Sequence, residues 1–308
     1  YINIRSPRTS VIGTDEFEYF IERNRIHERI INIEDYEEIK RIFTSGALTD
    51  TLIRRLRVLL KLINKPLAVR SSGMFEDSLS QPFAGIFETY LLPNNHPDIN
   101  VRLTQLMDAI KLVFASVYSP EARGYIEAIN YKLDEEKMAI VVQEVVGHQY
   151  DDVFYPHISG VAQSYNYYPF AHMKPEEGFA IAALGLGKYV VDGGSAYRFS
   201  PAYPAVEILT PKDLYKNSQV KFLAVDLAKS DVNLLEGEMA SLREMEIDEA
   251  EHHGTLRHLA SVYDRDNQRL VPGTNTPGPR VINFSNVLKY DYCPMAKTIE
   301  VVLDIVKE

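Results

Sequence analysis

Cysteine is almost absent from this chain of 308 residues, in which Cys293 is the only one. A single cysteine excludes an internal disulfide framework and fits a reducing compartment, so we expect a cytoplasmic protein. No apolar run approaches the roughly 20 residues of a membrane-spanning helix, and the sequence shows no signal-peptide pattern. Basic residues are outnumbered, with 33 Lys and Arg against 43 Asp and Glu. This balance argues against non-specific binding to nucleic acid or a membrane surface, although a local basic pocket for an anion is compatible with it.

Several catalytic signatures are missing as well. The spacing of His252, His253 and His258 matches no zinc-binding pattern, so we interpret these residues as a surface cluster. The turn Gly185-Leu186-Gly187-Lys188 resembles the end of a P-loop, but Tyr189 follows the lysine where Ser or Thr is required. The turn therefore has no role that its sequence alone assigns.

Apolar spacing divides the chain into a helical first part and a second part that contains sheets. Helices are predicted over 35–43, 50–63 and 99–117, where apolar residues recur every three or four positions. From Lys137 the pattern changes to that of buried strands. We therefore predict an α+β fold, with mostly antiparallel mixed sheets flanked by helices, and a boundary between residues 1–135 and residues 136–308.

The pattern is weakest between residues 201 and 290. Within this segment, 236–251 is acidic and is predicted to be a solvated helix or loop. Both ends of the sequence look cut, because it begins at Tyr1 and stops inside a helical pattern at Glu308. We expect a piece of a longer protein.

The stretch from residue 67 to 92 has the composition of an anion site. An apolar strand ends at Arg70, whose guanidinium can bind two phosphate oxygens at once. A polar loop follows, and a second strand is predicted to leave from Ala84-Gly85, where backbone N–H groups are open to a phosphate. The alternatives are a salt bridge from Arg70 to Glu76 or Asp77 and a simple hairpin turn at Gly85.

Gln143 and Glu144 are two adjacent polar residues that interrupt the apolar run 138–146. Buried polar groups need partners, and a strand beside a cleft could present both residues to a purine and its ribose. The alternative is an ordinary strand with one solvated face, on which alternation exposes only one of the two.

Four groups of residues, taken in order, resemble the nucleotide-binding domain of the phosphoenolpyruvate synthase and pyruvate phosphate dikinase family. The first group is Val69-Arg70-Ser71-Ser72 with Glu76-Asp77, Phe83-Ala84-Gly85 and Glu88-Thr89. The others are Val142-Gln143-Glu144-Val145-Val146, Ser159-Gly160-Val161-Ala162, and Gly185-Leu186-Gly187 with Val190-Val191-Asp192-Gly193-Gly194. The resemblance covers about residues 10–200.

This resemblance implies an ATP-grasp-like fold in which two lobes close on ATP and Mg²⁺, the chain being a single ATP-binding unit of a larger protein. Family members pass the β-phosphoryl group of ATP to a histidine on a separate domain. The group is then transferred to pyruvate on a third, pyruvate-binding domain. Arg70 would hold the ATP phosphates and act as the catalytic residue. The other implied ATP-binding residues are Gly85 and Thr89 near the phosphates, and Gln143, Glu144 and Val146 near the adenine and ribose.

Departures from the family pattern limit what the chain is expected to do alone. Lys188 stands where the family has glutamate, and no Gly-Gly-Lys segment precedes Thr14, so a phosphate-binding lysine is missing. The family's acidic metal-binding motif would lie beyond Glu308, so no metal ligand is predicted within this chain. We expect the isolated chain to be incomplete for catalysis.

Two other functions stay open at this point. The same domain could serve a dikinase with another acceptor, such as a glucan or a small molecule. It could also be a module that binds a nucleotide or a partner without catalysis, because Lys188 departs from the family and segment 201–290 shows little resemblance to it.

Overall fold

The computed structural model of the chain describes residues 3–73, 85–128, 136–170, 172–290 and 292–307. These residues form an α+β structure with antiparallel sheets flanked by helices, as predicted. None of the helices in these ranges is both long enough and apolar enough to cross a membrane.

The first part of the chain is mainly helical. Its helices are α1 (Thr14–Arg23), α2 (Ile26–Ile30), α3 (Tyr36–Ser45), α4 (Asp50–Leu62), α5 (Ile99–Ala115) and α6 (Pro120–Ala128). The side chain of Asp35 accepts a hydrogen bond at the start of α3, and that of Thr49 does so at the start of α4. These caps satisfy backbone N–H groups that have no partner inside the helix, which explains why the helices begin where the sequence predicts.

The helices pack on one face of a four-stranded sheet, here called the first sheet. Its strands, in spatial order, are β1 (Thr9–Ile12), β4 (Met138–Glu144), β2 (Leu67–Gly73) and β3 (Tyr90–Leu92). Val69, Val142 and Ile140 point to the helices and are at most 1% exposed. β4 lies beyond the predicted boundary at residue 135 but is a central strand of this sheet, while the division into two lobes stays a prediction.

Three smaller sheets make up most of the second part. Their strands are β5 (His148–Tyr150), β6 (Val153–Tyr155), β10 (Lys221–Asp226) and β11 (Leu242–Glu246) in one sheet, β7 (Ser159–Gln163), β8 (Phe179–Ala183) and β9 (Tyr197–Phe199) in another, and β12 (Ala260–Asp264), β13 (Arg269–Pro272) and β14 (Arg280–Ile282) in the last. The helices are α7 (Lys188–Val191), α8 (Pro211–Asn217), α9 (Ile247–His252), α10 (Ser285–Leu288) and α11 (Met295–Lys307).

The prediction of a solvated helix or loop over 236–251 is wrong for its middle. β11 pairs with β10 over five residues, and its Leu242 and Met245 are buried. These two side chains are three residues apart and point to opposite faces of the strand, where they join different apolar clusters, while the charged residues of the strand are at least partly exposed. The segment thus contributes to a sheet core.

The two parts of the chain meet at a small apolar cluster. Ala68 and Leu91 of the first sheet contact residues of the second part, among them Leu186, Leu223 and Leu242. The segment 230–241 also lies along the helices, because the Gln105 side chain donates to the Ser230 carbonyl at 3.0 Å and Lys40 to the Leu235 carbonyl at 3.3 Å. Apolar packing and hydrogen bonds therefore hold this second-part segment beside the first sheet.

Replacement of Phe114 should strongly destabilise the chain. Phe114 on α5 is fully buried, and its ring lies 5.1 Å from that of Phe17 and 5.7 Å from that of Phe20. Phe114→Ala is expected to lower the free energy of unfolding by about 3–5 kcal/mol, because it leaves a cavity among aromatic rings. Urea unfolding would measure this loss.

Val58→Ala on α4 is the control, since Val58 is 56% exposed. It should change the same free energy by no more than about 0.5 kcal/mol. Equal effects of the two substitutions would contradict this account of the helical core.

Candidate functional site

The face of the first sheet opposite the helices carries Arg70. Side chains alternate along β2, so Val69 points to the helices while Ala68 and Arg70 point away from them. On this open face Arg70 pairs across the strands with Val141, which in turn pairs with Val11 on β1. Val11 is 67% exposed and Arg70 is exposed too, which leaves the face accessible.

Arg70 makes no ion pair with any residue in the described ranges. Glu76 and Asp77, the partners considered from the sequence, lie outside those ranges. Among the described residues, the neighbours of the guanidinium on the open face include the small or apolar side chains of Ala68 and Val141. Such a group is available to an anion that approaches the sheet.

The segment 85–89 leads into β3 at the same end of the sheet. The second strand predicted to leave from Ala84-Gly85 begins instead at Tyr90, and Phe83 and Ala84 lie outside the described residues. Tyr90 pairs with Val69, so the preceding residue, Thr89, comes next to Arg70 in register. The structure thus brings these two predicted site residues together.

Gly85 has a backbone conformation that favours glycine. Its φ of +79° is in the left-handed region, and a Cβ built there would lie 3.7 Å from Cγ1 of Val191 on α7. Segment 85–89 therefore runs close to the turn that begins at Gly185. The sequence alone did not indicate that these two glycine-containing segments are neighbours in the fold.

Two further residues, Lys188 and Glu238, lie beside Thr89. Neither was predicted as a site residue. One carboxylate oxygen of Glu238 accepts a hydrogen bond from the backbone N–H of Thr89, and the other lies 2.8 Å from the Lys188 ammonium. Burial alone would lower the pKa of Lys188, but its hydrogen bond to Glu238 and the charges of Glu238 and Asp192 raise it overall. The ammonium therefore stays charged while only 17% exposed.

A half-buried carboxyl group, Glu88, lies next to Thr89 in the chain. It accepts a hydrogen bond from the Tyr90 hydroxyl at 2.7 Å. Burial raises the pKa of Glu88, and the charge of Glu238 adds to this, while the Tyr90 hydroxyl and Lys40 act in the opposite direction. Burial, followed by the charge of Glu88, also raises the pKa of Tyr90, which keeps this hydroxyl protonated as the donor.

Gln143 and Glu144 are separated by the alternation of β4. Gln143 shares the open face with Arg70, and its amide donates to the Thr9 hydroxyl at 2.9 Å. Glu144 points to the other face and pairs with Lys65 at 2.9 Å. A ligand contact by the Glu144 side chain would require that ion pair to open, whereas Val146, just past the strand, is 63% exposed.

The predicted histidine surface cluster is only partly at the surface. His252 is exposed, but the His253 side chain is 10% exposed and its Nδ1 lies 2.8 Å from the Tyr155 hydroxyl. His258 stacks on Tyr292. Across the described ranges no three His, Cys, Asp or Glu side chains are placed to hold a metal ion together.

A comparison with protein families matches residues 1–269 to the pyruvate phosphate dikinase AMP/ATP-binding domain. The chain belongs to this family. The match extends through most of segment 201–290, for which the sequence alone suggested little resemblance.

Three curated relatives agree with this membership. The chain is 30% identical over 191 residues to the "Uncharacterized phosphotransferase YvkC" of Bacillus subtilis, which covers 61% of the chain and 20% of that protein. It is 24% identical over 270 residues to phosphoenolpyruvate synthase of Deinococcus radiodurans, covering 81% and 31%. The phosphoenolpyruvate synthase of Aeropyrum pernix is 28% identical over 141 residues, covering 46% and 15%. The chain therefore spans less than a third of the length of each of these relatives.

Substitution of the half-buried Glu88 should stabilise the folded chain to an extent that depends on pH. A carboxyl whose pKa is raised on folding stabilises the fold fully below its ordinary pKa of 4.5, and this contribution is lost as the pH rises through the raised value. Glu88→Gln should therefore unfold at a higher temperature than the parent at pH 7, and the difference should shrink as the pH falls towards 4.5. Thermal melts across this range would check it, and a difference that grows on acidification would contradict the burial of a charged Glu88.

Proposed function

We propose that the chain binds ATP on the open face of the first sheet, as the ATP-binding domain of a phosphoenolpyruvate synthase-like phosphotransferase. The observation that carries the proposal is Arg70, an exposed arginine that lies next to Thr89 in register and has no ion-pair partner in the described ranges. Membership in a family of AMP/ATP-binding domains supports the choice of nucleotide. The two lobes, residues 1–135 and 136–308, would close on it in the manner of an ATP-grasp fold.

The predicted residues would contact different parts of the nucleotide. Arg70 would bind the phosphates and stabilise the charge that develops during phosphoryl transfer. The adjacent Thr89 and Gly85 would lie along the phosphates, where backbone N–H groups are useful donors. At the far side of the open face Gln143 would contact the adenine or ribose, together with Glu144 and Val146.

Magnesium is expected to accompany ATP at this site. Mg²⁺ usually takes one or two carboxylates together with phosphate oxygens and water. The two carboxylates nearest Thr89 are already engaged, Glu88 with the Tyr90 hydroxyl and Glu238 with Lys188. We propose that the metal ligands come from elsewhere in the full-length protein.

The wider reaction follows from the names of the relatives. Two of them are phosphoenolpyruvate synthases and a third is a phosphotransferase. We infer that the β-phosphoryl group of ATP passes to a histidine on a separate domain and then to pyruvate on another. In this scheme the chain supplies the nucleotide site, and the acceptor domains lie in the part of the relatives that it does not span.

Arg70→Ala should abolish or greatly weaken ATP binding. Loss of charge-assisted hydrogen bonds to phosphate is expected to reduce the affinity by roughly tenfold to a hundredfold. Isothermal titration calorimetry of the full-length protein with ATP and Mg²⁺ would measure the change.

The matched control is Arg54→Ala, which removes an exposed arginine on α4 whose guanidinium donates a hydrogen bond to Thr51 of the same helix. It should leave the affinity unchanged. If the parent protein does not bind ATP, or if Arg70→Ala binds ATP as well as the parent, this proposal is wrong.

A further inference from the structure

Glu238 joins two groups that are suited to bind a phosphate. Its carboxylate takes the Thr89 backbone N–H with one oxygen and the Lys188 ammonium with the other, at 2.8 Å. Thr89 and Glu238 are 149 residues apart in the chain, so the contact is made only by the fold. A backbone N–H and an ammonium that converge on one anion are the donors with which proteins hold phosphate oxygens.

Arg70 extends this pair towards the open face. It follows Val69, whose partner across the strands is Tyr90, so Arg70 and Thr89 are neighbours in register. Lys188 is thus the cation at the Thr89 N–H, and Arg70 is a second cation on the neighbouring strand. Two cations on adjacent segments favour a ligand with several negative charges.

Two carboxylates, those of Asp192 and Glu238, lie beside the Lys188 ammonium. Asp192 lies 3.4 Å from its ammonium and is half exposed, so Glu238 is the closer and less exposed partner. Bringing a polyphosphate here with Glu238 in place would put like charges together at a cost in affinity.

An ordinary surface ion pair is the alternative, and the chain offers one for comparison. Lys221 and Glu244 lie 2.6 Å apart on the β10–β11 ribbon, with side chains 45% and 54% exposed. Lys188 and Glu238 are 17% and 25% exposed, and only Glu238 also takes a backbone N–H from a segment predicted to line the nucleotide phosphates. The position and the third partner distinguish the Lys188–Glu238 pair.

We propose that the Thr89 N–H and the Lys188 ammonium bind a phosphate group of the nucleotide, and that Glu238 occupies this position as an internal anion which the phosphate displaces. Lys188 is then a phosphate-binding residue, supplied by the helix that follows the glycine-rich turn. Glu238 lowers the affinity for the nucleotide, because part of the binding free energy is used to displace it. This inference rests on the proposed ATP site.

Two substitutions in the full-length protein separate these roles. Glu238→Gln keeps the size of the side chain and an acceptor for the Thr89 N–H but removes the charge, so it should tighten binding of ATP and of inorganic tripolyphosphate roughly fivefold or more. Lys188→Gln removes the ammonium and should weaken both by roughly tenfold. Titration calorimetry at fixed ionic strength measures both ligands, and circular dichroism with thermal melts verifies that each variant is folded.

Glu244→Gln is the matched control, because it removes the same charge from the exposed Lys221 pair and should leave both affinities unchanged. If the parent binds ATP but Glu238→Gln binds it equally or more weakly, Glu238 is a supporting residue and the inference is wrong, while the proposed ATP site stands. If Lys188→Gln binds both ligands like the parent, the phosphate-binding role of Lys188 is excluded. If the parent binds neither ATP nor tripolyphosphate, the proposed function and the inference fail together.

Discussion

The antiparallel pairing of β2 with β4 is the constraint on which the proposed site depends. Seven consecutive residue pairs fix its register and place Val69 and Val142 against the helices. The same register turns Arg70 and Gln143 to the open face, since side chains alternate along a strand. A slip by one residue would bury the guanidinium among the helices and expose the apolar residues, so helix packing itself orients the arginine.

The second part of the chain adds what the first sheet lacks. The apolar cluster around Leu91 and Leu223 holds the two parts together, and segment 230–241 crosses back to the helices. This crossing delivers Glu238 to Thr89 and brings it against Lys188. Charged groups from distant parts of the sequence therefore meet at one end of the first sheet.

Sequence reasoning reached the elements with strong local patterns. The period of three to four residues identified α3, α4 and α5. It missed β1, which is short and begins with the polar Thr9 and Ser10, and β11, whose charged residues gave the segment the composition of a solvated helix or loop. Short strands depend on pairing with distant partners, which no local pattern records.

Only part of the candidate site could be predicted from the sequence. Arg70, Gly85 and Thr89 lie in one stretch of sequence, and the composition of that stretch by itself indicates an anion site. The opposite orientations of Gln143 and Glu144 follow from alternation, which was weighed as the ordinary alternative. Glu238 could not have been found, because its contact with Thr89 spans 149 residues, although Lys188 was visible as a departure from the family pattern.

A crystal structure of the full-length protein with a non-hydrolysable ATP analogue and Mg²⁺ tests the central claim most directly. We predict that the phosphates lie on the open face of the first sheet, within hydrogen-bonding distance of the Arg70 guanidinium and the Thr89 N–H. Nucleotide bound elsewhere, with Arg70 making no contact to it, would contradict the account.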